Sequence, residues 1–289
     1  MNEQTRRLII VSGLSGAGKT VVLNTLEDLS YYTIDNLPVS LLNELIDQFS
    51  TEDSKLAKQI VIGIDARNTQ DDFSFLPKTI SSLRKKNIST DLIFVEASDD
   101  VLTKRFSETR RKHPLSSDET SLTDAIKLER YIIGELAEAA DLAIDTSHMQ
   151  LNELRDIVRS RIAQRENTTL SLQFMSFGYK NGIPKDADFV FDLRCLPNPY
   201  WNKDLRKYSG KDEPIIEFLL KQNDVKQMLS DLEHFLERWI PQFEADSRSY
   251  LSIAFGCTGG HHRSVFIVEQ LANIFSSSNK QVIIRHRDL

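Results

Sequence analysis

The chain has 289 residues, of which 40% are hydrophobic and 27% are charged, and its formal net charge at pH 7 is -6. This composition is typical of a globular protein with a buried core, and the charge balance does not by itself indicate a nucleic-acid-binding protein. No apolar run approaches the roughly 20 residues of a membrane span, and the two cysteines, Cys195 and Cys257, are too few for a disulfide framework. We therefore expect a cytoplasmic protein with no membrane partner.

Short apolar runs alternate with helical patterns in the first part of the chain. Strands are predicted at Leu8–Ser12, Tyr31–Asp35, Ile60–Asp65, Leu92–Ala97 and Leu142–Asp145, and helices at Val39–Phe49, Ser121–Ala140 and Leu151–Gln164. This alternation predicts an α/β fold in which helices cover both faces of a parallel sheet. The polar stretch Arg165–Thr169 indicates a boundary, so we assign residues 1–166 to a first domain and residues 167–289 to a second.

The second part of the chain repeats the mixture of strands and helices. Strands are predicted at Leu170–Phe177, Phe189–Leu193 and Tyr250–Phe255, and a long amphipathic helix is predicted at Asp224–Trp239. A further helix follows the last of these strands, with an apolar face from Val265 to Phe275. The pattern predicts a second α/β domain.

A phosphate-binding signature follows the first predicted strand. The motif G-x-x-x-x-G-K-[ST] is matched at every fixed position between a predicted strand and a predicted helix, by Gly13, Leu14, Ser15, Gly16, Ala17, Gly18, Lys19 and Thr20. In such a P-loop, backbone N–H groups surround the phosphates at a helix N-terminus. Lys19 reaches the β- and γ-phosphates, and the Thr20 hydroxyl is a Mg²⁺ ligand. The first domain is therefore predicted to be NTPase- or kinase-like and to bind ATP or GTP with Mg²⁺.

The other parts of a P-loop catalytic centre are less clearly marked. A second carboxylate that orients Mg²⁺ belongs at the end of a neighbouring strand, and Asp65 fits this position best, with Asp35 as the rival. The alternative interpretation for either acid is a structural role, in which a residue at the end of a strand caps the next helix. The basic segment Arg105–Leu115 either closes over the nucleotide or forms a solvated basic helix.

A second phosphate-binding signature lies near the end of the chain. Cys257, Gly260, Arg263 and Ser264 have the spacing C-x-x-G-x-x-R-[ST] of cysteine phosphatase loops, again between a strand and a helix. Arg263 offers a planar fork for phosphate. A phosphatase also needs a reactive thiolate and a separate general acid. Gly256 stands where the phosphatase signature has histidine, and the sequence has no Trp-Pro-Asp acid loop. We therefore favour anion binding with Cys257 as a packed thiol, and a phosphatase is the alternative.

Several longer motifs carry a resemblance that extends over the whole chain. After the P-loop come DNLP (Asp35–Pro38), DARN (Asp65–Asn68), TRRKHPL (Thr109–Leu115), GIPKDADFVFDLRCLPNP (Gly182–Pro199) and GCTGGHHRS (Gly256–Ser264). With these motifs the sequence resembles the RapZ/YvcJ family of nucleotide-binding proteins. The resemblance implies a P-loop domain with ATPase and GTPase activity and a distinct C-terminal domain. In its best-studied branch it implies an RNase adapter that binds small regulatory RNAs, senses glucosamine-6-phosphate and presents the RNA to an endoribonuclease.

The resemblance also implies site residues. Gly13–Thr20 would bind ATP, and GTP binding is assigned to Asp65, Ala66, Arg67 and Asn68. The sugar-phosphate site would comprise Asp192, Arg194, Asn198, Thr258, Gly259, His262 and Arg263, and RNA would contact Lys280, Arg285 and Arg287. Two departures are visible: Tyr200 replaces a histidine of the adapter branch, and the sequence ends at Leu289 where that branch continues into a basic tail. RNA affinity is thus the property that we expect to transfer least.

The sequence therefore predicts a regulatory nucleotide-binding protein that hydrolyses ATP or GTP slowly. It would bind a phosphorylated amino sugar at its second loop, act as an RNase adapter and form a homo-oligomer. The alternatives are a P-loop small-molecule kinase and a bifunctional cysteine phosphatase. A kinase differs from a regulatory NTPase because its turnover rises sharply with the right acceptor.

Overall fold

The computed structural model of the chain describes residues 6–50, 58–65, 70–85, 88–109, 111–117, 119–163, 170–246, 248–276 and 282–289. The chain divides into two compact units, Met1–Gln164 and Arg165–Leu289. Each unit is built around its own parallel β-sheet. The predicted α/β fold class, with a P-loop domain and a second α/β domain, is confirmed.

The first unit is centred on a five-stranded parallel sheet in the order β2-β3-β1-β4-β5. Its strands are β1 Arg7–Gly13, β2 Tyr32–Ile34, β3 Gln59–Gly63, β4 Ser89–Glu96 and β5 Leu142–Asp145. Every residue of β1 is buried, as expected for a central strand with helices on both faces. The P-loop follows β1, so it lies at the carboxyl edge of the sheet, where ligands bind in folds of this class.

The described residues of the first unit also form seven α-helices: α1 Lys19–Asp28, α2 Leu42–Ser50, α3 Gln70–Lys85, α4 Asp99–Thr109, α5 Leu122–Ile132, α6 Gly134–Ala139 and α7 Leu151–Ile157. The predicted helix Ser121–Ala140 is in fact two helices, α5 and α6. It begins as predicted because the Ser121 side chain accepts a hydrogen bond from the Asp124 N–H. Beyond α7 the backbone continues as a π-helical segment, Val158–Ala163, and Gln164 lies outside the described residues.

The second unit contains a four-stranded parallel sheet in the order β7-β8-β6-β9. Its strands are β6 Ser171–Gly178, β7 Phe189–Asp192, β8 Tyr250–Cys257 and β9 Val282–His286, and its helices are α8 Glu213–Leu220, α9 Asn223–Ala245 and α10 Arg263–Ser276. The central strands β6 and β8 are buried throughout. Their aromatic side chains meet edge to face, as between Phe174 and Phe255, whose centroids are 5.9 Å apart.

Three elements of the second unit differ from the sequence-based prediction, and one of them, helix α8 at Glu213–Leu220, was not predicted. Helix α9 runs beyond the predicted end at Trp239 to Ala245 with Pro241 inside it. Strand β9 was not predicted, since Arg285 and Arg287 in this segment were assigned only to RNA contacts, and it pairs in parallel with β6 from Val282 to His286. No helix in the described part of the chain is long and apolar enough to cross a membrane.

Candidate functional site

The P-loop has the backbone that its glycines make possible. Gly13 has a φ of 141°, and a Cβ atom there would lie 2.0 Å from the Val95 carbonyl oxygen of β4. Gly18 adopts a φ of 117° immediately before α1. Any other residue would be strained at the first position and disfavoured at the second. The loop therefore turns tightly onto β4 and leads into the N-terminus of α1, the arrangement that binds phosphates in P-loop proteins.

Lys19 and Thr20 begin α1 on the far side of the loop. The Lys19 ammonium donates a hydrogen bond of 2.5 Å to the Gly13 carbonyl oxygen, so it folds back across the P-loop. Thr20 is exposed to solvent at the first turn of the helix. Both side chains thus lie where a bound triphosphate and its metal ion would meet them.

A carboxylate from another part of the unit is bound to the P-loop. Both oxygens of Glu129, on α5, accept hydrogen bonds from Ser15: one of 2.9 Å from the backbone N–H and one of 2.7 Å from the hydroxyl. The Glu129 side chain is completely buried. Burial alone would raise its pKa, but hydrogen bonds from His113 and Ser15 and the charge of Lys19 outweigh burial and lower it. The P-loop therefore already holds an oxyanion.

His113 supports this carboxylate from the other side. Its Nε2 lies 3.0 Å from Glu129, and its Nδ1 accepts a hydrogen bond of 3.1 Å from the Leu115 N–H. Because Nδ1 accepts, the proton is on Nε2, which donates to Glu129. Phe106 of α4 packs against the His113 ring and also faces the P-loop at Gly16. The sequence analysis did not predict that Glu129 and His113 support the P-loop. Glu129 is 114 residues from Ser15, and no local motif links the two.

The basic segment Arg105–Leu115 is only partly available to a nucleotide. The Arg105 guanidinium donates to the Gly16 carbonyl at 3.1 Å and to the Thr146 carbonyl at 2.8 Å, so it braces the P-loop from behind. Arg111 and Lys112 are exposed, while Arg110 lies outside the described residues. The exposed pair is therefore the part of this segment that remains able to meet a ligand.

The predicted metal-orienting acids lie at the same edge of the sheet. Asp65 follows β3, the strand beside β1, and Asp35 follows β2. Asp35 lies next to Gly63, where an added Cβ would be 2.9 Å from its carboxylate. The Thr20 hydroxyl and these carboxylates are the hard oxygen ligands that Mg²⁺ prefers, so the donor set fits this ion. Ala66, Arg67 and Asn68, which the resemblance assigns to GTP, lie outside the described residues.

The second loop, between β8 and α10, is organised around Cys257. Its sulfur accepts a hydrogen bond of 3.2 Å from the Gly260 N–H and lies 3.2 Å from the Ser264 hydroxyl. Gly260 has a φ of 75°, and a Cβ there would lie 2.6 Å from the Gly178 nitrogen, so the loop requires glycine at this point. The spacing C-x-x-G-x-x-R-[ST] thus corresponds to a loop wrapped around a thiol.

A cavity of about 410 Å³ opens over this loop. Five of the predicted sugar-phosphate residues line it: Asn198, Thr258, Gly259, His262 and Arg263. The sequence analysis did not assign the other lining residues to the site, which are Lys180, Tyr200, Arg206, Cys257, His261 and Asp288. A volume of this size accommodates a small phosphorylated metabolite.

The remaining two predicted residues, Asp192 and Arg194, pair with each other beside the cavity. Their side chains form a bidentate contact with distances of 2.7 and 3.0 Å, and the Arg194 guanidinium lies 3.9 Å from the centre of the Tyr179 ring. The hydrogen bond from Arg194 lowers the pKa of Asp192. The Arg194 carbonyl accepts a 3.0 Å hydrogen bond from Arg263, which connects this pair to the loop.

Two residues that line the cavity each have a buried nitrogen atom without a hydrogen-bond partner among the described residues. Arg263 is 3% exposed; one terminal nitrogen donates to the Arg194 and Leu196 carbonyls, yet its Nε has no hydrogen-bond partner among the described residues. His262 is 7% exposed, and its Nε2 likewise has no partner there. Burial lowers the pKa of His262 below its usual value. Unsatisfied buried polar atoms are costly, so these two residues are candidates for contact with a ligand.

The ionisation of this site matches that of a phosphatase at the thiol but not at a general acid. Burial would raise the pKa of the Cys257 thiol, but hydrogen bonds from Ser264 and Gly260 and the charge of Arg263 outweigh it and lower the pKa. A general acid must be protonated, however. Although burial favours the neutral form of Asp288, hydrogen bonds from Arg287 and Gly178 lower its pKa, and Asp192 is also lowered. Both acids near the loop are therefore held ionised.

The predicted RNA contacts are engaged within the second unit. Arg285 is paired with Asp186 at 3.5 Å, and both side chains are largely buried. Arg287 is 5% exposed, contacts Asp288 at 2.8 Å and donates to the Gly182 carbonyl at 2.8 Å. These two arginines expose little charge to a phosphate backbone, and Lys280 lies outside the described residues. RNA binding by this group stays a prediction.

Metal binding by side-chain clusters finds no support in the described residues. Among them, no group of three or more histidine, cysteine, aspartate or glutamate side chains is placed to hold an ion. The adjacent His261 and His262 rings instead meet edge to face, with centroids 5.0 Å apart. They belong to the loop that is organised around Cys257.

Comparison with known proteins gives matches along nearly the whole chain. Residues 6–166 match the family described as the RapZ-like N-terminal domain, and residues 170–289 match the RapZ C-terminal domain. A nucleotide-binding protein of Cellvibrio japonicus is 49% identical over 98% of this chain and 95% of its own length. One from Stutzerimonas stutzeri, described as a nucleotide-binding protein in the ptsN-ptsO intergenic region, is 45% identical over 98% of this chain and 99% of its own.

Several solved structures are similar to about half of the chain. A shikimate kinase from Acinetobacter baumannii in complex with shikimate covers 56% of this chain and 94% of its own, with 15% identity and a TM-score of 0.36. A shikimate kinase from Bacteroides thetaiotaomicron covers 53% of this chain and 98% of its own, with 15% identity and a TM-score of 0.34. Likeness at this level does not extend to substrate or activity.

Proposed function

Since the chain belongs to the RapZ family of nucleotide-binding proteins, we propose that it is a regulatory NTPase that binds ATP or GTP with Mg²⁺ at the P-loop and hydrolyses it slowly. The observation that carries this proposal is the carboxylate of Glu129 on Ser15, beside Lys19. A loop whose donors bind a buried oxyanion is prepared to bind a phosphate in the same way.

Slow turnover is supported by what surrounds the loop. Fast phosphoryl transfer places a guanidinium on the charge that develops at the transition state. Arg105 is the described arginine of the basic segment that contacts the P-loop, and its guanidinium donates hydrogen bonds to backbone carbonyls. The P-loop thus favours binding over rapid chemistry, which suits a protein that reports the nucleotide state.

The second loop is proposed to bind a phosphorylated amino sugar such as glucosamine-6-phosphate without cleaving it. Support comes from the unpaired nitrogens of His262 and Arg263 at a cavity large enough for a hexose phosphate. The absence of cleavage rests on the ionised state of Asp192 and Asp288, because an alkoxide leaving group requires a protonated acid.

On the basis of family membership we also propose an adapter role in the cytosol. A homo-oligomer of the chain would bind a small regulatory RNA and present it to an endoribonuclease. Exposed cations such as Arg111 and Lys112 support an electrostatic contact of this kind. The observation is less specific than those at the two loops.

The proposal is tested by measuring Mg²⁺-dependent hydrolysis and nucleotide binding in the purified full chain and in Lys19→Ala. We expect the substitution to reduce hydrolysis by about a hundredfold or more, since Lys19 carries the contact with the terminal phosphates. Lys104→Ala, which removes an exposed lysine of α4, is the matched control. Unchanged hydrolysis in Lys19→Ala would assign the activity to another site, and a sharp rise with an added acceptor would favour the kinase alternative.

A further inference from the structure

We propose that Cys257 is a modification site: a thiolate at the floor of the second loop, which a hydroperoxide oxidises to a sulfenic acid, and whose oxidation closes the cavity to phosphorylated ligands. This inference rests in part on the proposed phosphate site, because it adds regulation to the same loop. It concerns a reaction of the protein itself and not the turnover of a substrate.

The surroundings of the sulfur are those that stabilise a thiolate. It accepts from the Gly260 N–H and lies within hydrogen-bond distance of the Ser264 hydroxyl, both at 3.2 Å. Arg263 adds a positive charge beside it. These groups are fixed by the loop and by the start of α10, so the anion needs no rearrangement to form.

The position of Cys257 joins burial to access from one side. The residue is only 3% exposed, yet it lines the cavity of about 410 Å³. The proposal requires hydrogen peroxide to reach the sulfur through this cavity and requires a bound ligand to block that path. Independently of the sulfur, His262 and Arg263 line the same cavity, and each has a buried nitrogen without a hydrogen-bond partner among the described residues.

The reaction is balanced with a hydroperoxide as the only other reactant. The thiolate sulfur attacks one peroxide oxygen, an S–O bond forms, and the O–O bond breaks. Sulfur is oxidised and the peroxide is reduced: its second oxygen leaves as hydroxide or alkoxide, which takes a proton from solvent. The added oxygen then projects from the floor of the loop into the space above Gly260 and Arg263.

The chain supplies an internal control for the experiment. Cys195 is the other free thiol, and it is exposed, so reactivity governed by exposure alone would favour Cys195. Reactivity governed by thiolate character would favour Cys257 in spite of its burial. The two thiols therefore give opposite predictions in one molecule.

The experiment treats the folded full chain at about pH 6 with limiting hydrogen peroxide, traps sulfenic acid with dimedone, and quantifies each cysteine by mass spectrometry. We expect Cys257 to be modified faster than Cys195, because burial is outweighed by hydrogen bonds from Ser264 and Gly260 and the charge of Arg263, which lower the pKa of its thiol and so favour the thiolate that reacts with peroxide. Modification of Cys195 with Cys257 untouched in the folded protein would overturn the proposal.

A pair of serine variants separates the thiolate effect from a change in packing. Ser264→Ala removes the hydroxyl beside the sulfur and should slow the modification of Cys257 but not that of Cys195. Ser171→Ala removes another fully buried hydroxyl of the second unit, one without a hydrogen-bond partner among the described residues, and should change neither rate. Equal rates in Ser264→Ala and the unchanged chain would contradict the assigned role of the hydroxyl and, with it, the proposal.

Ligand protection distinguishes this inference from the proposed function. Inorganic phosphate or glucosamine-6-phosphate should shield Cys257 and leave Cys195 unaffected, and the oxidised protein should bind neither ligand. Rapid modification without protection would retain the modification site but contradict the phosphate site. If Cys257 does not react at any peroxide level while both ligands still bind the unmodified protein, the phosphate site stands and the inference is overturned.

Discussion

Glu129 shows at the residue scale how an acidic side chain can stand in for a phosphate. Its carboxylate takes the N–H and hydroxyl of Ser15 and lies in the field of Lys19, the residue that reaches the terminal phosphates in P-loop proteins. His113 holds it in place from the opposite side. A nucleoside triphosphate therefore approaches a loop that already contains one negative charge.

Replacing Glu129 by glutamine should raise the affinity for ATP by about tenfold, equivalent to about 1.4 kcal/mol, and the affinity for ADP by less. The amide keeps the shape of the side chain and an acceptor oxygen but removes the charge that repels the γ-phosphate. Titration calorimetry with both nucleotides measures the difference, and Glu135→Gln, on the exposed face of α6, is the control. Equal changes for ATP and ADP would show that the carboxylate does not oppose the terminal phosphate.

A second residue-scale prediction concerns the unpaired nitrogens at the cavity. Arg263→Ala and His262→Ala should each weaken glucosamine-6-phosphate binding by at least about tenfold, because a buried contact to a charged group contributes roughly 1.5–3 kcal/mol. Cys257→Ser should change the affinity little, since the serine oxygen can accept from the Gly260 N–H. Calorimetry tests all three, with Arg238→Ala on the exposed face of α9 as control. Unchanged affinity in Arg263→Ala would show that the guanidinium does not contact the ligand.

At the scale of elements, the P-loop was predictable because one local motif fixes it. Glycine is required where β1 passes close to Val95, and Lys19 and Thr20 must follow at the start of α1. The Cys257 loop was predictable for the same reason. Contacts between distant elements were not, since neither Glu129 on α5 nor Arg105 on α4 shares a sequence pattern with the loop that it contacts.

Strand β9 shows a different reason for a missed element. It is an edge strand of a parallel sheet, and its charged residues hid its pairing with β6. Arg285 is satisfied by Asp186, and Arg287 by Asp288 and two carbonyls. The partners come from loops that the sequence alone does not place, so cations that pack inside the unit were predicted to contact RNA.

His286, at the end of β9, makes the stability of the second unit depend on pH. His286 contacts Ser176 at 2.8 Å and Glu269 at 2.9 Å, and Lys211 also contacts Glu269. Burial lowers the pKa of His286, with Glu269 opposing and Lys211 adding to the shift. Between that lowered pKa and the ordinary histidine value, the unfolded chain binds more protons than the folded chain. Stability must therefore fall as the pH falls through this window.

We expect the free energy of unfolding of the second unit to decrease from about pH 7.5 to pH 5.5, and His286→Gln to show a weaker decrease. Urea unfolding followed by tryptophan fluorescence is suited to this test, because both tryptophans, Trp201 and Trp239, lie in the second unit. His234→Gln, at an exposed position of α9, should keep the full pH dependence. A His286→Gln profile identical to that of the unchanged chain would exclude His286 as the source.

At the scale of the whole molecule, the net charge of -6 means that any RNA contact must rely on local groups of cations. Two groups in the described part of the chain have opposite properties. Arg285 and Arg287 are largely buried and paired. Arg111 and Lys112 are exposed and precede His113, the histidine that contacts Glu129. Binding at the second group would bring RNA close to the residues that hold Glu129, so nucleotide and RNA would meet on the same unit.

The salt dependence of RNA affinity discriminates between these groups. Each phosphate contact on a single strand contributes roughly 0.7 to the slope of log affinity against log salt, so Arg111→Ala with Lys112→Ala should reduce the slope by about 1.4. Arg285→Ala with Arg287→Ala should instead lower the stability of the second unit by breaking buried ion pairs, and leave the slope unchanged in protein that remains folded. The reverse pattern would return RNA binding to the C-terminal cations. Because two contacts per chain give only weak binding at physiological salt, tight binding requires several chains on one RNA, and the apparent affinity should then rise with oligomer formation as the protein concentration increases.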